Sequence, residues 1–306
     1  MSLVKYFVAA SLATLALSAS HAEARCPGNV TSSALRRIQD DLIVVRVLIN
    51  RTGPYDFLVD TGSQITAIDP VLASDLHLKI EGTAGVSGIR TQSRSAFTSL
   101  DLIEVGSHSV PQSLAVIQDI AELKAADPRI RGILGENFLA HFDLLIDNRQ
   151  QILCLDESTA LAQAVKGERI PLHQPYGPRD DLPFMRPIIV SVRLATDDVA
   201  PVLLRLDSGS NAAVLYAAPR FLRASLSRAP MLERVVNGVE QGFAVLPAQD
   251  LRMGVFAVRQ MSFVIPMNGI GGGPSPREDG QLPSAAFKRV FISYSENYAA
   301  LDPWVR

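Results

Sequence analysis

The feature that most constrains the fold is a short motif that the chain contains twice. An apolar run ends in Asp60-Thr61-Gly62-Ser63 in the first half, and another ends in Asp207-Ser208-Gly209-Ser210 in the second half. A proline stands six residues before each aspartate, at Pro54 and Pro201. Since the apolar run, the proline and the polar tetrapeptide recur together, we interpret the chain as an internal duplication.

The repeat continues at matched distances downstream. Gly132-Ile133-Leu134-Gly135 ends 75 residues after the first motif aspartate, and Gly280-Gln281-Leu282-Pro283 ends 76 residues after the second. Each of these anchors is followed by a strand, a polar turn and another strand that ends in Leu-Asp. Upstream, the β-rich runs at 42–49 and 187–194 are predicted to form hairpins with the motif strands.

The pattern between these anchors is mostly that of β-strands. Further strands are predicted at 99–105, 113–117, 242–246 and 253–258. Short helices are predicted at 70–76, 119–126 and 219–225, with a helical or irregular link at 160–166. The glycine-rich stretch at 270–274 is interpreted as a plain turn. The predicted fold class is all-β, with two lobes that are related by a pseudo-twofold axis.

The N-terminus has the composition of an export signal. Lys5 is followed by an apolar run at 7–17 and then by small residues that suit cleavage after Ala22 or Ala24. Residues 1–24 are therefore predicted to be a signal peptide, and the mature protein is expected to be periplasmic or secreted. The remaining chain is predicted to divide into an N-terminal lobe at 25–165 and a C-terminal lobe at 166–306.

Charge and cysteine content exclude several classes of protein. The net charge of −2, from 29 basic and 31 acidic residues, gives no electrostatic basis for binding nucleic acid. Two cysteines are too few for a disulfide-dense scaffold or a Cys-rich zinc module. Export would permit a disulfide between Cys26 and Cys154, although the sequence leaves that pairing open. No later stretch is apolar for the roughly 18 residues of a membrane helix, so no stable membrane insertion is expected.

The two Asp-Thr/Ser-Gly turns have a chemical logic when they are taken together. A buried strand delivers each aspartate to a rigid position, and the glycine permits a sharp turn whose N–H groups can face the carboxylate. Across a pseudo-twofold axis, Asp60 and Asp207 would face each other and share one proton. One carboxylate can then act as a base on a water while the other donates a proton to a carbonyl oxygen.

These residues resemble the aspartic proteases of the retropepsin and pepsin type, and most of all the compact, exported bacterial members called retropepsin-like. The first half carries the family pattern in full, at Leu58-Val59-Asp60-Thr61-Gly62 and Ile133-Leu134-Gly135. The second half carries it at Leu206-Asp207-Ser208-Gly209 and departs from it where Gln281-Leu282-Pro283 replaces apolar-apolar-Gly. The resemblance covers nearly the whole mature chain.

The resemblance implies an aspartic endopeptidase with two acid-protease β-barrel lobes, a central cleft, and a peptide or protein substrate. It implies that Asp60 and Asp207 hold the attacking water and that Thr61 and Ser208 interlock the two turns. The other supporting residues of the turns are Gly62, Ser63, Gly209 and Ser210. It also implies a hairpin flap, for which the best candidate is the segment 82–89, with Gly85, Val86, Ser87 and Gly88. A duplicated chain is expected to act as a monomer.

Other classes of hydrolase fit the sequence less well. Ser87 lies in Gly-Val-Ser-Gly-Ile, which lacks the last glycine of a serine-hydrolase elbow. The five histidines are scattered without metal-ligand spacing, so no metal and no cofactor are expected. Asp143 and Asp147 are interpreted as structural or exposed and not as catalytic. The remaining alternative is a catalytically silent protease-like fold that serves as a peptide-binding or inhibitor module.

Overall fold

Three β-sheets make up most of the described structure. The computed structural model describes residues 25–39, 41–88, 91–173, 186–194, 200–217, 223–236, 239–267 and 278–304. Its sheets contain six, nine and eight strands, and the helices between them are short. The predicted all-β fold class is confirmed. The predicted signal peptide, most of the connector at 173–182 and the turn at 270–274 lie outside the described residues.

The strands of the first half begin before the first motif and end after the first anchor. They are β1 (Ser32–Ala34), β2 (Arg36–Ile38), β3 (Leu42–Ile49), β4 (Thr52–Val59), β5 (Thr66–Ile68), β6 (Gly82–Gly88), β7 (Thr91–Val105), β8 (His108–Ile117), β9 (Ile130–Leu134), β10 (Asp143–Asp147), β11 (Ile152–Asp156) and β12 (Ile170–Pro171). The helices are α1 (Pro70–Asp75), α2 (Ala121–Ala126), α3 (Glu136–Leu139) and α4 (Ala160–Ala164), with a 3₁₀ turn at Pro27–Asn29.

The second half follows the same plan. Its strands are β13 (Ile189–Leu194), β14 (Val202–Asp207), β15 (Ala213–Leu215), β16 (Met231–Val236), β17 (Val239–Val245), β18 (Gln249–Met253), β19 (Phe256–Met261), β20 (Phe263–Pro266), β21 (Gly280–Pro283), β22 (Phe287–Ser293) and β23 (Tyr298–Pro303). It also contains α5 (Arg223–Leu226) and a 3₁₀ turn at Ser284–Ala286. None of the helices in the described ranges combines the length and the apolarity that crossing a bilayer requires.

The duplication is visible in the order of the strands within two sheets. The order β3-β4-β9-β5-β8-β7-β6 in the eight-stranded sheet recurs as β13-β14-β21-β15-β20-β17-β16 in the nine-stranded sheet. Every neighbouring pair also keeps its direction: β4–β9 and β14–β21 are parallel, as are β5–β8 and β15–β20, and the other pairs are antiparallel. The two motif strands therefore occupy equivalent positions. The domain boundary at 165 and 166 stays a prediction.

The third sheet contains strands from both halves. Its order is β1-β11-β10-β22-β23-β12, so the hairpin that follows the first anchor lies beside the hairpin that follows the second. At the junction, Leu144 pairs with Ile292 and Asp147 pairs with Arg289 in an antiparallel ladder. The amide of Asn148 adds two hydrogen bonds across the halves, to the carbonyl oxygens of Ser284 and Phe287.

The apolar core is also continuous between the halves. One cluster of buried side chains includes Phe57 and Phe138 from the first half together with Leu204 and Phe287 from the second. Strand β3 is apolar at seven of its eight positions, and all of these except the half-buried Leu48 are buried, whereas Arg46 is exposed. The two halves therefore share one hydrophobic interior.

Several predicted elements differ from the observed ones. The strand predicted at 253–258 is wrong, because β18 ends at Met253 and a turn at Gly254 and Val255 precedes β19. Gly254 has a φ of 56°, in the left-handed region that glycine adopts easily. Helix α3 and strand β16 were not predicted, whereas the helices predicted at 70–76 and 119–126 correspond to α1 and α2. The first residues of the helix predicted at 219–225 lie outside the described ranges.

A disulfide joins Cys26 to Cys154, with the two Cα atoms 5.8 Å apart and the two residues 128 positions apart in sequence. It fixes the segment before β1 against β11, beside the buried side chains of Leu145 and Phe291. We expect the double variant Cys26→Ser/Cys154→Ser to unfold with a free energy lower by about 2–4 kcal/mol, because a long closed loop restricts the unfolded chain. Denaturant unfolding measures this loss.

The matched control for that variant is the wild-type protein after reduction. Reduction should lower the free energy of unfolding by the same amount, and should not affect the double variant. If neither treatment changes the unfolding midpoint, the disulfide does not contribute to stability.

Candidate active site

Each motif aspartate lies at the end of a buried strand, where the chain turns sharply. The backbone N–H of Asp60 donates to the carbonyl oxygen of Leu134 at 3.0 Å, which ties the first turn to the end of β9. Asp207 is the last residue of β14 and pairs in parallel register with Pro283 on β21. The departure of the second anchor from apolar-apolar-Gly therefore leaves the strand pairing beneath Asp207 in place.

The hydroxyl residues that follow the aspartates interlock the two turns. The Thr61 hydroxyl donates to the carbonyl oxygen of Leu206 at 2.9 Å and accepts from the Ser208 N–H at 3.0 Å. With the two halves exchanged, the same pattern holds: the Ser208 hydroxyl donates to the carbonyl oxygen of Val59 at 2.7 Å and accepts from the Thr61 N–H at 3.1 Å. Thr61 is 1% exposed and Ser208 is fully buried, so water cannot replace these bonds.

The serines at the ends of the motifs brace each turn internally. The Ser63 hydroxyl donates to the carbonyl oxygen of Ile65 at 3.0 Å, and the Ser210 hydroxyl donates to that of Ala212 at 2.8 Å. The same bond, two residues ahead, therefore occurs in both halves. These side chains stabilise the turns and leave the space above the aspartates to other groups.

The glycines of the motifs allow the two carboxyl groups to approach each other. A Cβ added to Gly209 would lie 2.3 Å from Cγ of Asp60, and one added to Gly62 would lie 2.6 Å from Oδ2 of Asp207. Each carboxyl group thus packs directly against the glycine of the opposite turn. A side chain at either glycine would displace the aspartate of the other half.

Backbone and side-chain donors hold both carboxyl groups in place. Oδ1 of Asp60 accepts from the N–H groups of Gly62 at 2.8 Å and Ser63 at 3.1 Å. Oδ1 of Asp207 accepts from the N–H of Gly209 at 2.8 Å, and its Oδ2 accepts from Nε2 of Gln281 at 2.6 Å. The two carboxyl groups also lie within hydrogen-bonding reach of each other.

Burial governs the acidity of the pair. It raises the pKa of Asp60, against the backbone donors that lower it. It raises the pKa of Asp207 well above its ordinary value, and the nearby charge of Asp60 adds to that rise. Two carboxyl groups in such an arrangement titrate as a pair, and one proton is retained after the other has been lost.

A buried arginine, Arg205, lies close to the carboxyl groups of Asp60 and Asp207, which we call the dyad. The local sequence around Arg205 does not predict this position. Nη1 of Arg205 donates to the carbonyl oxygen of Gly62 at 3.0 Å, so a side chain of the second half supports the turn of the first. Its Nη2 forms an ion pair of 2.8 Å with Glu278, and the two side chains are 10% and 5% exposed. The charge of Arg205 lowers the pKa of both dyad carboxyls.

Glu136 is a third acid near the dyad that sequence reasoning missed. It follows Gly135 of the first anchor and is fully buried. Neither of its carboxyl oxygens has a hydrogen-bond partner of ordinary geometry within the described ranges. Burial raises the pKa of Glu136 to about 8, Asp60 adds to the rise, and Arg205 and the backbone N–H of Arg186 oppose it. Glu136 is therefore mostly protonated, and so uncharged, at neutral pH.

The flap candidate forms a regular hairpin. Strand β6 pairs with the start of β7, from Gly82 opposite Phe97 to Gly88 opposite Thr91, and nothing lies within 4 Å of a Cβ built on Gly85. Val86 is half-buried, and the side chain of Ser87 lies outside the described residues. The second half contains a topologically equivalent hairpin, β16–β17, which the sequence analysis missed. The position of the β6–β7 hairpin over the dyad stays a prediction.

The other acidic candidates serve turns away from the dyad. Asp143 accepts bonds from Ser293 and Ser295, and Asp147 accepts bonds from the backbone of Arg149 and from Gln150. Both residues therefore have the structural role that was predicted for them. Across the described ranges, His, Cys, Asp and Glu side chains form no group of three that could hold a metal ion.

Part of the chain matches a known protein family. Residues 45–138 match a family model described as "Aspartyl protease". A search of the curated proteins found no match. Among solved structures, a retropepsin-like aspartic protease from Rickettsia conorii matches with 21% sequence identity and a TM-score of 0.31, over 41% of this chain and 90% of that one. The predicted resemblance to the aspartic proteases is confirmed over residues 45–138, the part of the chain that contains the first motif and the first anchor.

Proposed function

We propose that this protein is an aspartic endopeptidase that hydrolyses peptide bonds with a water held between Asp60 and Asp207. The observation that carries the proposal is the pair of interlocked turns, which bring the two buried carboxyl groups of Asp60 and Asp207 within reach of each other. The aspartyl-protease family match over residues 45–138 supports it, since that region contains the first motif and the first anchor.

The proposed reaction needs only one proton on the pair. The ionised carboxylate takes a proton from the water while the oxygen of that water forms a bond to the peptide carbonyl carbon. The protonated carboxyl gives its proton to the carbonyl oxygen, and a neutral tetrahedral diol results. The diol then loses a hydroxyl proton to the ionised carboxylate as its C–N bond breaks, and the leaving nitrogen takes up the proton of the other, protonated carboxyl. The dyad ends with one proton, as it began.

The supporting residues have distinct proposed roles. Thr61 and Ser208 fix the distance between the aspartates, because their hydroxyls bind the backbone of the opposite half. Ser63 and Ser210 stiffen the turns, and Gly62 and Gly209 provide the space in which the carboxyls meet. A site held at this precision lowers the reorganisation that the reaction requires.

The proposal also includes the oligomeric state and the cellular location of the protein. Both aspartates come from one chain, which supports a monomer as the active form. The disulfide between Cys26 and Cys154 supports export, since disulfides persist in oxidising compartments. Periplasmic or secreted location remains part of the proposal, together with the signal peptide at 1–24.

A peptide-library digest read by mass spectrometry tests this function. The wild-type protein should cleave peptides internally, with an acid-side optimum and with activity that falls as the second dyad carboxyl ionises. The double variant Asp60→Asn/Asp207→Asn is the negative control and should not cleave. A pH profile that still rises at about pH 8 would contradict a carboxyl pair. Peptides that are retained but never cut would favour the alternative, a peptide-binding module.

A further inference from the structure

The strand pair beneath the second aspartate differs in chemistry from its counterpart in the first half. In the first half, Leu58 on β4 lies beside Ile133 on β9. At the equivalent positions of the second half, Arg205 on β14 lies beside Gln281 on β21. Two aliphatic residues are therefore replaced by two polar ones at a place where the backbone register is the same. The two turns of the dyad are alike, but the strand pairs next to them differ in chemistry.

The amide of Gln281 contacts the reacting carboxyl group directly. Its Nε2 atom donates to Oδ2 of Asp207 at 2.6 Å, and the residue is 9% exposed. Its Oε1 atom is buried without a hydrogen-bond partner among the described residues. A buried amide that leaves one polar atom unsatisfied is a poor choice for stability alone, because an aliphatic side chain avoids that cost. The equivalent strand position of the first half carries an aliphatic residue, Ile133.

We propose that Gln281 is a positioning residue of the dyad, whose amide N–H fixes Oδ2 of Asp207 and stabilises the charged form of that carboxyl group. The proposal rests on the proposed peptidase function and deepens it. A hydrogen bond from a neutral donor favours the ionised carboxylate over the protonated acid. Gln281 therefore acts against burial and against the charge of Asp60, both of which favour the protonated form.

The other charged or titratable groups around the dyad are the same in every variant used to test this idea. Asp60 lies on the opposite turn, and Arg205 lies on the same strand as Asp207. Tyr216 follows β15, Glu278 precedes β21, and Glu136 opens α3. Because Gln281 itself carries no charge, replacing it with an apolar residue alters one hydrogen bond and leaves the charges unchanged.

The pH dependence of kcat/KM tests the proposal. In Gln281→Met, and in Gln281→Ile, which copies Ile133, both limbs of the profile should move to higher pH by at least about 0.5 unit. Gln150→Met is the matched control, because Nε2 of Gln150 donates to Oδ2 of Asp147 at 2.9 Å, in the turn between β10 and β11 and not in either motif turn. Its profile should match that of the wild type. Limbs that stay in place, or that move to lower pH, in both Gln281 variants would overturn the proposal.

A second measurement does not depend on catalysis. The free energy of unfolding of the wild type should exceed that of Gln281→Ile, and the difference should grow as the pH rises from about 3 to about 8. This follows because the bond that the variant loses stabilises the charged carboxylate of Asp207. A stability difference that is independent of pH would mean that Gln281 has only a packing role. If the wild type cleaves no peptide at any pH, the proposed function fails, and this unfolding titration still decides the role of Gln281.

Discussion

Asp60→Asn and Asp207→Asn are each expected to lower kcat/KM for peptide hydrolysis by at least about a thousandfold without unfolding the protein. Asparagine keeps the size of the side chain and can accept the same hydrogen bonds from Gly62, Ser63 and Gly209. It cannot take a proton from water or hold the proton that the carbonyl oxygen needs. Steady-state kinetics on a peptide identified in the digest measures the loss.

The stability of these variants separates a chemical effect from a structural one. Burial and the charge of Asp60 favour the protonated form of Asp207, so the charged form is costly in the folded state. The melting temperature of Asp207→Asn should therefore equal or exceed that of the wild type at pH 7. The control is Asp75→Asn, at an exposed side chain on α1 that pairs with Arg131, and its activity should match the wild type. Activity retained in either dyad variant would contradict the proposed mechanism.

Glu136→Gln is expected to remove a large pH dependence from the stability of the protein. The pKa of Glu136 is raised from 4.5 to about 8 in the folded state. Between these two values the folded protein binds more protons than the unfolded chain, so stability falls as the pH rises through this window. A rise of this size corresponds to at most roughly 5 kcal/mol above pH 8. Glutamine does not titrate, and the variant should gain stability over the wild type between pH 5 and pH 8.5.

Denaturant unfolding at several pH values checks this prediction. Asp60 and Asp207 contribute a slope of the same sign, but they are present in both proteins, so the difference between the proteins isolates Glu136. Glu157→Gln is the control, because Glu157 is exposed just after β11. The free energy of unfolding of this variant should change with pH as that of the wild type does. Parallel stability curves for Glu136→Gln and the wild type would mean that Glu136 is not a buried acid.

The sequence predicts the parts of the site that are repeated along the chain. Asp60 and Asp207 were found because each ends an apolar strand and is followed by the same small residues, a pattern that depends on local geometry alone. The hairpins at 42–59 and around 189–207 follow from short-range turn signals in the same way. A pattern written twice in register also predicts that its two copies lie in equivalent places.

The residues that the sequence does not predict are those whose roles depend on strand pairing. Arg205 has no local signal, because its partners Gly62 and Glu278 are distant in sequence and reach it only through the fold. Glu136 has no local signal of burial either, because the sequence predicts no helix after the first anchor and the burial of α3 follows from the fold. Gln281 could be recognised only as a departure from a pattern, and its contact with Asp207 needed the parallel register of β14 and β21.

The sheet that both halves share limits how the two halves can move relative to each other. A hinge between the halves would have to break the backbone ladder that joins β10 to β22, and it would open the apolar core that both halves line. Such a rupture costs far more than bending a hairpin, which leaves the core closed. The shared sheet and core therefore hold the two halves in a fixed arrangement, and if a peptide enters the site as proposed, we expect the outer hairpins β6–β7 and β16–β17 to be the parts that move.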